Sequence, residues 1–184
     1  MFWETAGPAN TEKTLQLAVQ KGAELEINNF VIASCSGASA RRLYQLADGA
    51  HIVCVSHHIG FKEPGADEML PENREFFQAN GIPVLTTTHL LAGVDRSLRF
   101  QFQGVYPAEI IASTLRMFGQ GIKVAVEISC MALDAGLIPY GRDVIAIGGT
   151  IEGVDAAIVV RPEHSPKFFA TQIKEIICMP KNKK

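Results

Sequence analysis

The chain has 184 residues, 47% of them hydrophobic, and a formal net charge of −2. That suits one domain spanning 1–184 with a sizeable core, and the interspersed charges form no basic stripe, so nucleic acid is not expected as a partner. No apolar run is long enough to cross a bilayer, and MFWETAGPAN lacks a basic stretch leading an apolar one, so a cytoplasmic protein without a membrane partner is expected.

In chain order, ThrGluLysThr opens a first helix after Pro8 and Asn10, with Leu15, Ala18, Val19, Gly22 and Ala23 on one stripe. Residues 29–34 form an unbroken strand of the kind buried on both faces. Ala40, Leu43, Tyr44 and Ala47 space a second helix, and 51–56 is the second strand. A long loop follows, with two prolines and two glycines in IGFKEPGADEMLP. Pro71 suits the first turn of the helix PENREFFQAN, and Gly81 suits its left-handed cap. Residues 83–88 are the third strand. Across 89–106, Leu90, Leu91, Val94 and Leu98 have helical spacing, interrupted by Gly93 and Gly104.

Pro107 opens a helix expected to turn Ile110, Ile111, Leu115 and Phe118 inward, ending at Gly119. Another helix runs from about 122 to 135 and stops at Gly136. The fourth and fifth strands are 143–147 and 155–160. Their short link, with Glu152 and Gly153, is too short for a crossover and predicts an antiparallel hairpin. A sixth strand, 174–178, is expected at an edge, and 181–184 reads as a solvated end. Strands alternating with helices predict an α/β fold: three layers, α/β/α, with a mostly parallel twisted sheet. The apolar helices at 107–135 either pack under the sheet or form a homo-oligomer face.

In such a sheet, ligands sit outside the carboxyl ends of the strands. Four segments leave strands there: SerCysSerGlyAlaSer (34–39), SerHisHisIleGlyPhe (56–61), ThrThrThrHis (86–89) and GlyGlyThr (148–150). All are rich in small, hydroxyl or imidazole groups. A helix starting near Gly37 or Ala38 offers unpaired N–H groups and a positive dipole end; Ser36 and Ser39 offer hydroxyls, and Arg41 or Arg42 charge. The segment is either a phosphate cradle or a plain turn with Ser36 or Ser39 as helix cap. It matches neither the Walker A spacing nor the dinucleotide G-x-G-x-x-G.

His57 and His89 are the candidate catalytic bases by residue type and position. A metal site would need two or three of His57, His58 and His89 plus Glu63 or Asp67; imidazoles bonding a ligand or the loop are preferred, and no metal is expected. Phe61, beside Gly60, either stacks on a ring or pins the loop, and 57–70 is long enough for a lid. Glu127 reads as the wet stripe of its helix, with Lys123 one turn earlier, and Asp95, Arg96 and Arg99 as a solvated charged face. Cys35, Cys54, Cys130 and Cys178 form no C-x-x-C pair and read as buried, reduced thiols.

The stretch SerCysSerGlyAlaSerAlaArgArgLeu after a strand resembles the C-terminal α/β domain of pyruvate kinase. There a similar segment holds a phosphate of the allosteric sugar bisphosphate. Ser36, Gly37, Ser39, Ala40 and Arg41 occupy the matching places, with Ser39 where threonine is usual. HisHisIleGlyPheLysGluProGly, ThrHisLeuLeuAlaGlyValAspArgSer, GlyValTyrProAlaGluIleIleAla, ValGluIleSerCysMetAlaLeuAspAlaGlyLeuIlePro and AlaIleGlyGlyThr resemble a stand-alone family of such domains, nearly over the whole chain. That family is associated with flavin mononucleotide (FMN). The resemblance implies FMN as cofactor, its phosphate on Ser34, Cys35, Ser36, Gly37, Ala38 and Ser39. The ring would lie toward His57, Gly60, Phe61, Thr87, Thr88, His89, Gly148, Gly149 and Thr150. A flavin-dependent oxidoreductase is the function expected first. A sensor of a phosphorylated metabolite, or an isomerase or hydrolase of a phosphorylated substrate, are the alternatives. Pyruvate kinase chemistry needs a barrel of roughly 250 residues, so that activity is not expected here.

Overall fold

The computed structural model describes residues 1–182. In chain order the strands are β1 (Phe2–Trp3), β2 (Asn29–Ala33), β3 (His51–Ser56), β4 (Val84–Thr86), β5 (Val144–Gly148), β6 (Ala156–Arg161) and β7 (Gln172–Pro180). The helices are α1 (Thr11–Glu24), α2 (Ala38–Leu46), α3 (Pro71–Ala79), α4 (Val94–Phe102), α5 (Pro107–Leu115) and α6 (Gln120–Asp134). All seven strands join one sheet in the order β1-β7-β6-β5-β2-β3-β4. From β5 to β4 the pairing is parallel, with Ile32 beside both Cys54 and Ile147. The hairpin expected between the fourth and fifth predicted strands is present: β5 and β6 are antiparallel, Val144 opposite Val160.

Alternation along the strands divides the core in two. Phe30, Ile32, Ile52, Cys54, Ile145 and Ile147 face one layer, with Leu15 and Ala18 of α1, Ala40 and Leu43 of α2, and Phe77 of α3. Val31, Val53, Val55, Val144 and Ala146 face the other, against Ile122, Ala125, Val126 and Ile128 of α6. Each Val, Leu, Ile or Phe side chain among them, fully buried, stabilises the fold by about 1.5–3 kcal/mol. At Gly22, a Cβ would stand 2.6 Å from the Phe30 ring, so α1 lies on the sheet only because that position has no side chain. The helices that follow β2 and β3 lie on one face, and the chain returns to β5 past α6 on the other. The sheet therefore reverses its winding between β2 and β5, the place where such folds open a crevice.

Several expectations are corrected. The last strand runs 172–180 and is not the edge: β1 adds outside it, parallel, with Phe2 beside Met179. Two residues are too few to show a period, and the Trp3 indole N–H, donating to the Asp155 carbonyl at 2.7 Å, helps hold them. Ile110 and Phe118 are exposed, and Ala112 is the residue of α5 that is buried, because α5 covers the outer edge of α6 rather than the sheet. The third predicted strand pairs only over Val84–Thr86. Gly93 and Gly104 bound α4 rather than breaking it. Of the 181–184 end, Lys181 donates its N–H to the Trp3 carbonyl and pairs with Glu4 at 2.6 Å; residues 183 and 184 lie outside the described part.

Glu127 is also corrected. It is 2% exposed and Lys123 4%, so neither lies on a wet stripe. They form a buried ion pair on one face of α6, and the other Glu127 oxygen accepts the Leu91 N–H at 2.8 Å. The pair thus ties the segment after β4 to the core helix. Removing one member of a buried pair strands the other charge, whereas removing both is far cheaper. Lys123→Met is expected to cost about 3–5 kcal/mol in urea unfolding. Lys123→Met with Glu127→Gln should recover more than half of that, since the amide oxygen still accepts from Leu91. A loss below about 1 kcal/mol in the single variant would contradict this role.

Candidate functional site

The parallel register sets the carboxyl ends of β5, β2, β3 and β4 in one row, so the segments 148–150, 34–39, 56–61 and 86–89 are neighbours in that order.

At the centre, β2 turns into α2 through Gly37, whose φ of 90° lies in the left-handed region. A Cβ there would meet the Asn73 Cβ at 2.6 Å and the Met69 sulfur at 2.7 Å. Glycine is thus required twice, by conformation and by space. The Asn73 amide and the Leu70 N–H both donate to the Ser36 carbonyl, at 2.8 and 3.2 Å, locking the start of α3 to this turn. The Ser34 hydroxyl accepts the Ala40 N–H at 3.3 Å and that of Ser36 the Ala38 N–H at 3.4 Å, so Ser36 meets the start of α2 as the sequence suggested, and Ser34, not Ser39, is the second hydroxyl there. Among the described residues the N–H groups of Gly37 and Ser39 have no acceptor. Ser36 and Ala38 are exposed. Neither arginine turns to this loop: Arg41 bonds Asn73 and lies 4.6 Å over the Phe76 ring, and Arg42 forks onto Glu12.

Beside the turn stands a cluster of rings. His57 stacks on Phe61 with centroids 3.7 Å apart, and His89 lies 5.1 Å from His57 and 5.6 Å from Phe61. His58 closes the group, 5.6 Å from Phe61. Gly60, at φ 81°, makes the tight turn that folds Phe61 back. Arg96 sits 5.7 Å from that ring. Thr86 meets Ser56 hydroxyl to hydroxyl at 2.8 Å, while Thr87 is half-buried and Thr88 exposed. At the other end of the row, a Cβ on Gly148 would stand 2.3 Å from the Gly121 carbonyl, and one on Gly149 2.1 Å from that of Gly153. The close approach these glycines permit is made by the protein's own backbone. Thr150, next in the row, is half-buried.

Sequence reasoning missed Glu68. Its carboxylate accepts from His57 Nδ1 at 2.5 Å and pairs with Lys62 at 2.8 Å. Burial pushes its pKa up, but the hydrogen bonds from Lys62 and His57 outweigh that and hold it below the usual value. Asp67 instead takes the Met69 N–H and Arg74. A carboxylate in a loop leaves no periodic signal, and its neighbours Glu63 and Asp67 look the same on paper. Of the four cysteines, all free, Cys54, Cys130 and Cys178 are buried as expected, but Cys35 is partly exposed at the site. Burial raises its thiol to about 11.

Next to the rings, α4 and α5 enclose a cleft of about 580 Å³, lined by Arg96, Arg99, Arg116 and Asp95 among apolar groups. Arg96 and Arg99 are exposed, as expected of a solvated face, and the same charged residues of α4 line the cleft, where Arg99 is tied to Glu109 at 3.0 Å.

Burial lowers the His89 pKa from 6.5 to about 4; Glu127 opposes the fall, while His57, Lys123 and Arg96 add to it. The unfolded chain therefore protonates this ring first. The stability tied to its neutral form is complete above pH 6.5 and is lost as pH falls toward 4. NMR titration should find the His89 ring neutral at pH 6. His89→Asn should flatten the stability profile across that window, and an unchanged profile would contradict the assignment.

Three comparisons bear on this geometry. The family model described as the pyruvate kinase alpha/beta domain matches residues 12–160. Among solved structures, Cryptosporidium parvum pyruvate kinase in complex with ADP is similar, at 16% identity with a TM-score of 0.45, over 84% of this chain and 24% of that one. A second pyruvate kinase structure from the same organism gives 15% identity and a TM-score of 0.42, over 84% of this chain and 23% of that one. The chain thus spans about a quarter of the length of the kinases it matches. With the family model covering most of the chain, including the α2 turn and all four strand ends, the chain belongs to the pyruvate kinase alpha/beta domain family.

Proposed function

We propose that this chain binds a phosphate ester carrying a planar ring, with flavin mononucleotide as the ligand of first choice. One observation carries the reading: the turn at Ser36–Ser39, exposed at Ser36 and Ala38, half-buried at Ser39 and buried at Gly37, has N–H groups at Gly37 and Ser39 with no acceptor among the described residues and lies beside the His57, Phe61 and His89 rings in a single row of strand ends. Amide groups at a helix start bind a phosphate by hydrogen bond and dipole. Stacking groups and a neutral His89, with one N–H and one lone pair, suit the heteroatom edge of a flavin. The flavin supplies the redox chemistry when bound; the chain's share is to seat the phosphate, border the ring and offer His57 or His89 for proton transfer. Pyruvate kinase activity is not part of this reading, because the described residues form one α/β sheet and no (β/α)8 barrel.

A second reading, a sensor of a phosphorylated metabolite without chemistry, is favoured by one feature. His57 already stacks on Phe61, so the ring wall is satisfied without a ligand ring.

The test is a visible spectrum after FMN addition and gel filtration. Retained flavin, bound at least about tenfold more tightly than riboflavin, is the expected result, since charge-assisted hydrogen bonds contribute about 1.5–3 kcal/mol. Gly37→Asp is a poor probe because its side chain would strike Met69 and Asn73. Ala38→Asp is better: the position is exposed and opens α2, where a carboxylate suits the helix but repels a phosphate. It should fold normally and lose FMN affinity at least about tenfold. Unchanged FMN affinity in that variant would remove the phosphate from this turn. No retained flavin, with thermal stabilisation by sugar phosphates, would establish the sensor reading instead.

A further inference from the structure

We propose that Cys35, His57 and Glu68 form a binding site for a divalent transition-metal ion of the zinc type. One sulfur, one imidazole nitrogen and one carboxylate oxygen, from three separate segments, lie within 4.8 Å of one another. All three residues are partly buried, so the group is reachable from solvent without being splayed on the surface. The donor set has the mixed character that zinc, cobalt(II) and iron(II) accept, and three protein ligands leave a fourth position for water or an anion. Glu63 and Asp67 do not take part.

The supports around the three groups differ in a useful way. Cys35 and His57 stand just past the ends of β2 and β3, paired strands with Ala33 beside Val55. They are held by the sheet. The His57 ring is further fixed by Phe61 at 3.7 Å. Glu68 comes from the loop, and Lys62 holds its second oxygen at 2.8 Å, as outer partners of metal-bound carboxylates do. Zinc ligand atoms at about 2.0–2.3 Å from the ion stand roughly 3.5 Å apart. The 2.5 Å His57–Glu68 hydrogen bond would therefore open by about 1 Å as the ion enters. The thiol gives its proton to solvent on binding, so affinity rises with pH. Because Cys35 directly precedes Ser36, an ion here would place positive charge at the turn that neither Arg41 nor Arg42 reaches.

This site does not depend on flavin binding, and the two fail separately. The test is cobalt(II) titration of the chelator-treated full chain with no phosphate ligand present. One cobalt per chain with a thiolate-to-cobalt charge-transfer band is expected. The band should vanish in Cys35→Ser, and affinity should fall at least about tenfold in His57→Gln and Glu68→Gln. Should Cys35→Ser fail to fold, Glu68→Gln, a loop residue, decides the matter. Absence of a stoichiometric complex, a spectrum without thiolate character, or equal affinity in Glu68→Gln would overturn the proposal.

Discussion

Parallel pairing cannot close with tight turns, so every parallel neighbour in this sheet is reached by a crossover that leaves a helix on one face or the other. The rest of the molecule depends on that constraint. It requires strands apolar on both faces, and β2, β3 and β5 supply them. It places α2 and α3 on one side and α6 on the other. It leaves the turn at Gly37 where the winding reverses, with the N–H groups of Gly37 and Ser39 taken by no acceptor among the described residues. The candidate site is a by-product of how the sheet is connected, elaborated by the residues at four strand ends.

What secures that edge is a set of polar ties of different strength. The Lys123–Glu127 pair is dry and reaches Leu91, so the segment carrying His89 is anchored to the most buried helix. Asn73 ties the Gly37 turn to α3 through the Ser36 carbonyl. Glu68, by contrast, is held by groups that water can reach, His57 and the exposed Lys62. The edge is thus tied to buried groups at His89 and Gly37, and at Glu68 to groups that water reaches.

The sequence was legible where burial imposes a period. The apolar runs of β2 and β3, the hairpin of β5 and β6, the proline starts of α3 and α5 and the glycine at 81 all follow from local chemistry. Legibility ended where a tertiary partner decides. The two residues of β1 are a strand only because β7 is beside them. Glu127 looks like any helical carboxylate until the segment carrying Leu91 folds onto it. Ile110 carries the apolar label but faces outward, because α5 lies against α6 and not on the sheet. At the site, the four strand ends and the histidines were readable from residue type. Glu68 and the half-buried state of Cys35 were not, since a loop has no period and exposure is a property of neighbours.

The glycines at 148 and 149 bear on how a mutational scan of this chain would read. Both positions should score as intolerant, and both lie in the row of strand ends. Their intolerance would have its source in the backbone of Gly121 and Gly153, which fills the space a side chain would need. A map of essential positions would thus not by itself assign these two positions to the pocket, and only substitutions at Thr150, their neighbour in the same segment, would separate packing from recognition at that end.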